Sequence, residues 1–234
     1  MNIKEYLTKL EKETHEIFIK SLKCQSKLGK VHHLSSCIYE FTDHIYDQSE
    51  KNILITVSSQ LESATLNATM GMYRQAFSSL RLAFEMGLGA AHFSVHKLDL
   101  IEWLNGRADI KWSELINEDN GVLSSRFTNA FFKELSSEAA EYRGKAISTY
   151  RNLSEFVHGN NETWEKSGLQ LSYNKKLLET YFETFSDTVE IILFVLTCRY
   201  AKSLSKESLE SLQCIPEEFV HILHIREIFG GPKV

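Results

Sequence analysis

The sequence predicts an all-α protein, an antiparallel helical bundle with additional helices at its N- and C-terminal ends. Three observations lead there. Apolar residues recur every three or four positions in one segment after another, the period of a helix with one buried face. No stretch alternates apolar and polar residues as a half-buried strand does. Only two prolines occur, Pro216 and Pro232, so nothing interrupts long helices ahead of Pro216.

Taken in order, the first helix runs from Ile3 to about Leu28, with Ile3, Tyr6, Leu7, Leu10, Ile17, Phe18 and Leu22 on one side. A break near Gly29 leads to a second helix, Val31 to Ile45, carrying Leu34, Ile38 and Phe41 in register. Ser49 to Met72 continues helically through Ile53, Val57, Leu61, Ala64 and Ala68. Met72 to His96 is apolar almost all round, the mark of a buried central helix, and Gly87 and Gly89 would let a neighbour approach its backbone closely. Asp99 to Asn105 is a short helix closed by Gly106, and one more turn follows at Trp112 to Ile116. Helices are expected over Ser124–Leu135 and Ser137–His158, then a polar loop from Asn160 to Tyr173. Asn174 to Ser205 is a long amphipathic helix, and Pro216 opens a last one that ends at Phe229 before Gly230-Gly231-Pro232. The whole of 1–234 reads as one domain: an N-terminal helical pair over 1–48, a core over 49–205 and a helical tail over 206–234.

Composition narrows the class of protein. Hydrophobic residues make up 43% of 234, enough for a packed core, and the net charge of −5 argues against broad coating of DNA. Cys24, Cys37, Cys198 and Cys214 are scattered without a CxxC pair, which favours free thiols in a reducing compartment. The N-terminus has no apolar signal-peptide core, and the longest apolar run, Ile191 to Thr197, is too short to span a bilayer. A cytoplasmic protein with no membrane association is expected. No P-loop, GxGxxG, HExxH or GxSxG occurs, and no cofactor is expected.

One stretch carries pointed chemistry, Tyr150-Arg151-Asn152-Leu153-Ser154-Glu155-Phe156-Val157-His158-Gly159. Arg151 and His158 are seven positions apart, so at about 100° per residue both leave the same helical face, with Ser154 and Glu155 between them. Tyr150, Leu153, Phe156 and Val157 mark the packed side, and Gly159 suits a helix C-cap. A cation, an imidazole and small polar groups are displayed together at a helix end. The dipole there favours a protonated His158.

Arg, polar Asn, five further residues and His resemble the motif of the HEPN superfamily, all-helical nucleotide-binding and ribonuclease domains of prokaryotic toxin and phage-defence systems, among others. The string YRNLSEFVHG is similar to one branch with a Tyr-Arg-x-Leu-Ser-x-x-Val-His pattern, in which an upstream buried helix carries an Arg-x-x-x-Glu pair, here Arg81 and Glu85. The resemblance covers roughly 49–205 and implies a metal-independent RNA endonuclease, driving the ribose 2′-OH onto the adjacent phosphorus. His158 would handle a proton and Arg151 would grip phosphoryl oxygens, with Asn152 and Ser154 as hydrogen-bond supports. It implies a homodimer whose motif helices face one another, RNA as substrate, and a cognate antitoxin or regulatory protein as a partner. The alternative is a non-catalytic module of the same type that binds RNA, a nucleotide or a protein.

The remaining constellations have plainer readings. Arg81 and Glu85 are one turn apart on an apolar helix, as either a structural ion pair or a polar network beneath the site. His92 and His96 have the i,i+4 spacing of two metal ligands, but no nearby Cys or carboxylate completes a set, so no metal site is expected; His32-His33 and His221/His224 rank lower. Trp103 and Trp112, with Arg107 and Lys111, read first as plugs for the side of the bundle and second as a surface for stacking RNA bases.

Overall fold

The computed structural model describes residues 2–158 and 171–231. Among them are helices and turns and no strand. The helices are α1 (Ile3–Ser21), α2 (Gln25–Thr42), α3 (Gln48–Thr69), α4 (Tyr73–Phe93), α5 (Lys97–Leu104), α6 (Trp112–Leu115), α7 (Ser125–Phe131), α8 (Ser136–His158), α9 (Lys175–Tyr200), α10 (Lys206–Ser211), α11 (Cys214–Glu218) and α12 (Leu223–Ile228). No helix among the described residues is long and apolar enough to cross a membrane.

Side-chain oxygens start several helices by accepting the N–H groups that no helical carbonyl can reach. Asn2 and Glu5 form a reciprocal capping box on α1. Asp47 accepts from Ser49 and Glu50 at α3, Ser124 from Phe127 at α7, and Asn174 from Leu177 at α9.

The all-round apolar helix, α4, lies at the centre and packs against α3, α8 and α9, while α2 covers α3 and α9. Its approach to α9 depends on Gly87, because a Cβ added there would lie 2.7 Å from the Ile192 side chain. Phe77 of α4 stacks on Phe156 of α8 at 3.9 Å and 8°. One polar device sits inside this core. Glu50, 4% exposed, accepts from Tyr200 Oη at 2.7 Å and is paired with Lys97, as a buried carboxylate requires.

Four element boundaries differ from the sequence reading. The chain breaks at a 3₁₀ turn over Leu22–Cys24, while Gly29 sits inside α2. Gly29 is exposed, and an exposed helical glycine costs only about 1 kcal/mol, less than α2 gains by packing. The helix expected over Ser124–Leu135 ends at Phe131. Phe132, 2% exposed, leaves helical geometry (φ −153°, ψ 76°) before a 3₁₀ turn at Lys133–Leu135. The helix expected to reach Ser205 ends at Tyr200, followed by a 3₁₀ turn at Ala201–Ser203. The tail is three short helices, and the one expected over Pro216–Phe229 is interrupted where Phe219 (φ −105°, ψ 35°) and Ile222 (φ −105°, ψ 105°), both buried, leave helical geometry. Gly159 and most of the expected 160–173 loop lie outside the described residues.

Candidate functional site

The geometry of the motif follows from how α8 is buried. Ala139, Tyr142, Ala146, Thr149, Leu153 and Phe156 face the core, a strict alternation of three and four positions. That stripe fixes the rotation of the helix and leaves Tyr150 and Ser154 at its flank, with Arg151, Asn152, Glu155 and His158 exposed.

Arg81 and Glu85, on α4, meet this flank. Their side chains are 21% and 23% exposed, and Arg81 Nε donates to Glu85 Oε1 at 3.2 Å. Tyr150 Oη donates to the same carboxylate oxygen at 2.7 Å and accepts from Arg81 Nη2 at 2.6 Å. Burial, reinforced by the Glu85 carboxylate, pushes the Tyr150 phenol above its ordinary value, so it stays protonated as donor. Trp112 of α6 stacks on the Tyr150 ring at 3.8 Å and 6°, holding it in place.

The last nitrogen of the guanidinium, Arg81 Nη1, lies 2.7 Å from His158 Nε2. A guanidinium offers only N–H groups, so Arg81 donates and Nε2 accepts. That contact occupies the Nε2 lone pair and leaves Nδ1 to carry the ring N–H.

No protein family, curated protein or solved structure matches the chain.

The other motif residues are placed differently. Arg151, 80% exposed, has its Nε 3.4 Å from Glu155 Oε1 across one turn. It makes no hydrogen bond to His158 among the described residues, because seven residues of helix separate them by about 10 Å along the axis. Ser154 Oγ donates back to the Tyr150 carbonyl at 2.8 Å, a bond within the helix, and Asn152 points to solvent. The network thus gathers Arg81, Glu85, Tyr150 and His158, and leaves Arg151 and Asn152 displayed and available.

The aromatic connector packs inward. Trp103 stacks on Phe93 at 5.3 Å, Trp112 touches Phe84 as well as Tyr150, and Arg107 is held by Glu102 at 2.8 Å. The two rings therefore brace the bundle. The expectation that no carboxylate joins His92 and His96 is overturned, since Asp99 Oδ2 lies 3.2 Å from His92 Nε2 and 4.0 Å from His96 Nδ1. The chain turns sharply between α4 and α5, which brings Asp99 back over the histidines, a fold that i,i+4 spacing alone does not encode. Burial, aided by His96, holds the His92 imidazole below its ordinary value.

Proposed function

We propose that this chain is a metal-independent endoribonuclease, an effector of toxin or phage-defence type that acts as a homodimer. The observation that carries the proposal is the convergence of two separate sequence motifs at one solvent-facing helix end. Arg81 and Glu85 come from α4, Tyr150 and His158 from α8, and the imidazole at the surface is aimed by a bond from the half-buried guanidinium. A surface histidine with no task needs no such anchor.

The chemistry follows from the groups present. The ribose 2′-oxygen forms a bond to the adjacent phosphorus while the bond from phosphorus to the 5′-oxygen breaks, giving a 2′,3′-cyclic phosphate and a free 5′-hydroxyl. The 2′-OH gives up its proton and the leaving oxygen gains one. The incoming 2′-OH displaces the Arg81 N–H from the His158 Nε2 lone pair, which then accepts the first. Arg151, bound only by a weak exposed pair to Glu155, can swing to the phosphate and hold two of its oxygens. Arg81 is a positioning residue that fixes the imidazole. One helix end supplies one imidazole, whereas the reaction calls for an acid and a base. A second copy across a two-fold axis supplies the other, and pairs two Arg151 side chains into a positive groove on a chain of net charge −5.

A second function is favoured by one detail, the occupation of the His158 Nε2 lone pair by Arg81. This would suit a module that binds RNA, a nucleotide or a protein without cutting. Induced expression in a bacterium separates the two, with cleavage assayed on purified chain in excess EDTA at a temperature where the helical circular-dichroism signal is unchanged. The nuclease arrests growth, cuts RNA under chelation, and loses both on His158→Ala. Cleavage that vanishes with EDTA and returns with magnesium or manganese contradicts the mechanism. Binding without cleavage favours the module.

A further inference from the structure

The corner between α4 and α5 gathers a metal-ligand set. His92 sits in the last turn of α4, His96 precedes α5, and Asp99 occupies the first turn of α5. One ligand atom from each lies within 4.8 Å of the others. A tetrahedral zinc ion with bonds of about 2.0–2.1 Å needs its ligand atoms about 3.3 Å apart. The His92 Nε2 to Asp99 Oδ2 edge, at 3.2 Å, already has that length. The His96 edge, at 4.0 Å, closes by rotation of a side chain that is 46% exposed. The two imidazoles stack at 4.3 Å and 24°, so a common ion is reached by tilting the exposed His96 ring out of the stack.

The surroundings suit a cation. The corner opens on a recess of about 60 Å³, lined also by Asp109, Lys111 and Glu114, room for an ion with a water. Three carboxylates, Asp99, Asp109 and Glu114, face it against a single ammonium, Lys111, which is engaged by Glu114 at 2.9 Å. Gly89 sets this up, because a Cβ there would lie 3.1 Å from Ile110, and the missing side chain lets the connector lie against α4. His92 Nδ1 is buried without a hydrogen-bond partner. The ring's hydrogen bond therefore runs from Nε2 to the Asp99 carboxylate alone, and a cation bridging the two would take the place of the ring proton there.

We infer that His92, His96 and Asp99 bind one divalent transition cation of the zinc class. Two imidazoles and one carboxylate are a borderline donor set that selects zinc over calcium or magnesium, and water completes the coordination. The ion is structural. Arg81 is eleven residues from His92 on the same helix, about 16 Å along the axis, so the cation takes no part at the His158 end. It staples α4 to α5 and steadies the connector leading to α6, whose Trp112 holds Tyr150.

The test uses the full chain stripped with a chelator and titrated with zinc chloride alone, by calorimetry and by thermal melting, with cobalt(II) as a spectroscopic replacement. One equivalent binds, cobalt gives the intense visible bands of tetrahedral coordination, and Tm rises by about 5 °C or more at roughly a hundredfold excess over Kd. His96→Ala and Asp99→Asn, both half-exposed and free of core packing, each weaken binding by about a hundredfold. Zinc that binds equally well to both variants, or no binding at micromolar zinc, overturns the assignment. A variant that melts like the wild type in chelator shows that lost binding comes from the missing ligand rather than from unfolding.

Discussion

Replacing Tyr150 by Phe deletes one oxygen and keeps the ring that stacks on Trp112. That oxygen donates to Glu85 at 2.7 Å and accepts from Arg81 at 2.6 Å, so both members of a largely buried ion pair lose a partner at once. A hydrogen bond to a charged group is worth about 1.5–3 kcal/mol. The pair keeps 21% and 23% of its side-chain surface exposed, so water replaces part of what is lost. Together the two bonds should cost about 2 kcal/mol, or roughly 4–8 °C in Tm for a chain of this size. Urea denaturation and calorimetry measure both quantities. In a Glu85→Gln background the same deletion should cost about 1 kcal/mol less, since one of its two partners is already weakened. A Tm shift under about 1 °C, or full additivity of the two changes, would refute the network on which the aim of His158 depends.

Three further outcomes are expected. Gly87→Ala forces a methyl against Ile192 at 2.7 Å and should destabilise by about 1–3 kcal/mol, partly relieved by Ile192→Val; an unchanged denaturation midpoint contradicts the close α4–α9 contact. Asp47, bonded to Lys97 and capping α3, has its carboxyl held below the ordinary aspartate range. The unfolded state therefore binds the proton more readily, the contribution is full above about pH 4 and is lost as pH falls through the folded value, and Asp47→Asn should flatten the acid limb of the stability profile while its amide oxygen keeps the cap on α3. Mixing Arg151→Ala with His158→Ala under subunit exchange should restore part of the cleavage if sites are shared between two copies, and full activity from a sedimenting monomer would exclude the dimer.

The sequence made the class of fold legible because helix period survives in every long segment. The burial stripe of α8 and the all-round apolarity of α4 need only one dimension to be seen. What it hid were contacts set by turns. Asp99 joins His92 and His96 only because the chain bends between α4 and α5, and nothing in the spacing of Asp99 announces that bend. The Phe132 break was equally silent, since a phenylalanine in a helical pattern looks the same whether it packs within the helix or pulls the chain out of it. At the motif, i,i+4 spacing made the Arg81–Glu85 contact legible. The bond from Arg81 to His158 spans 77 residues and follows from the packing of α4 against α8. Equally, a shared helical face said little about the distance along it, which keeps Arg151 and His158 from touching.

End-group analysis of cut RNA tests the central claim most directly. A short RNA carrying a single 2′-deoxyribose at the cleaved position is incubated with the wild-type chain in parallel with the all-ribose strand, and with Arg151→Ala and His158→Ala proteins. The account predicts a 2′,3′-cyclic phosphate and a 5′-hydroxyl from the all-ribose strand. It predicts no cut at the deoxy position and no cut by either variant, while Arg151→Ala melts within about 1 °C of the wild type because its exposed pair with Glu155 contributes under about 0.5 kcal/mol. Cleavage of the deoxy-substituted strand at the same position, or wild-type rates from the His158→Ala protein, would contradict it.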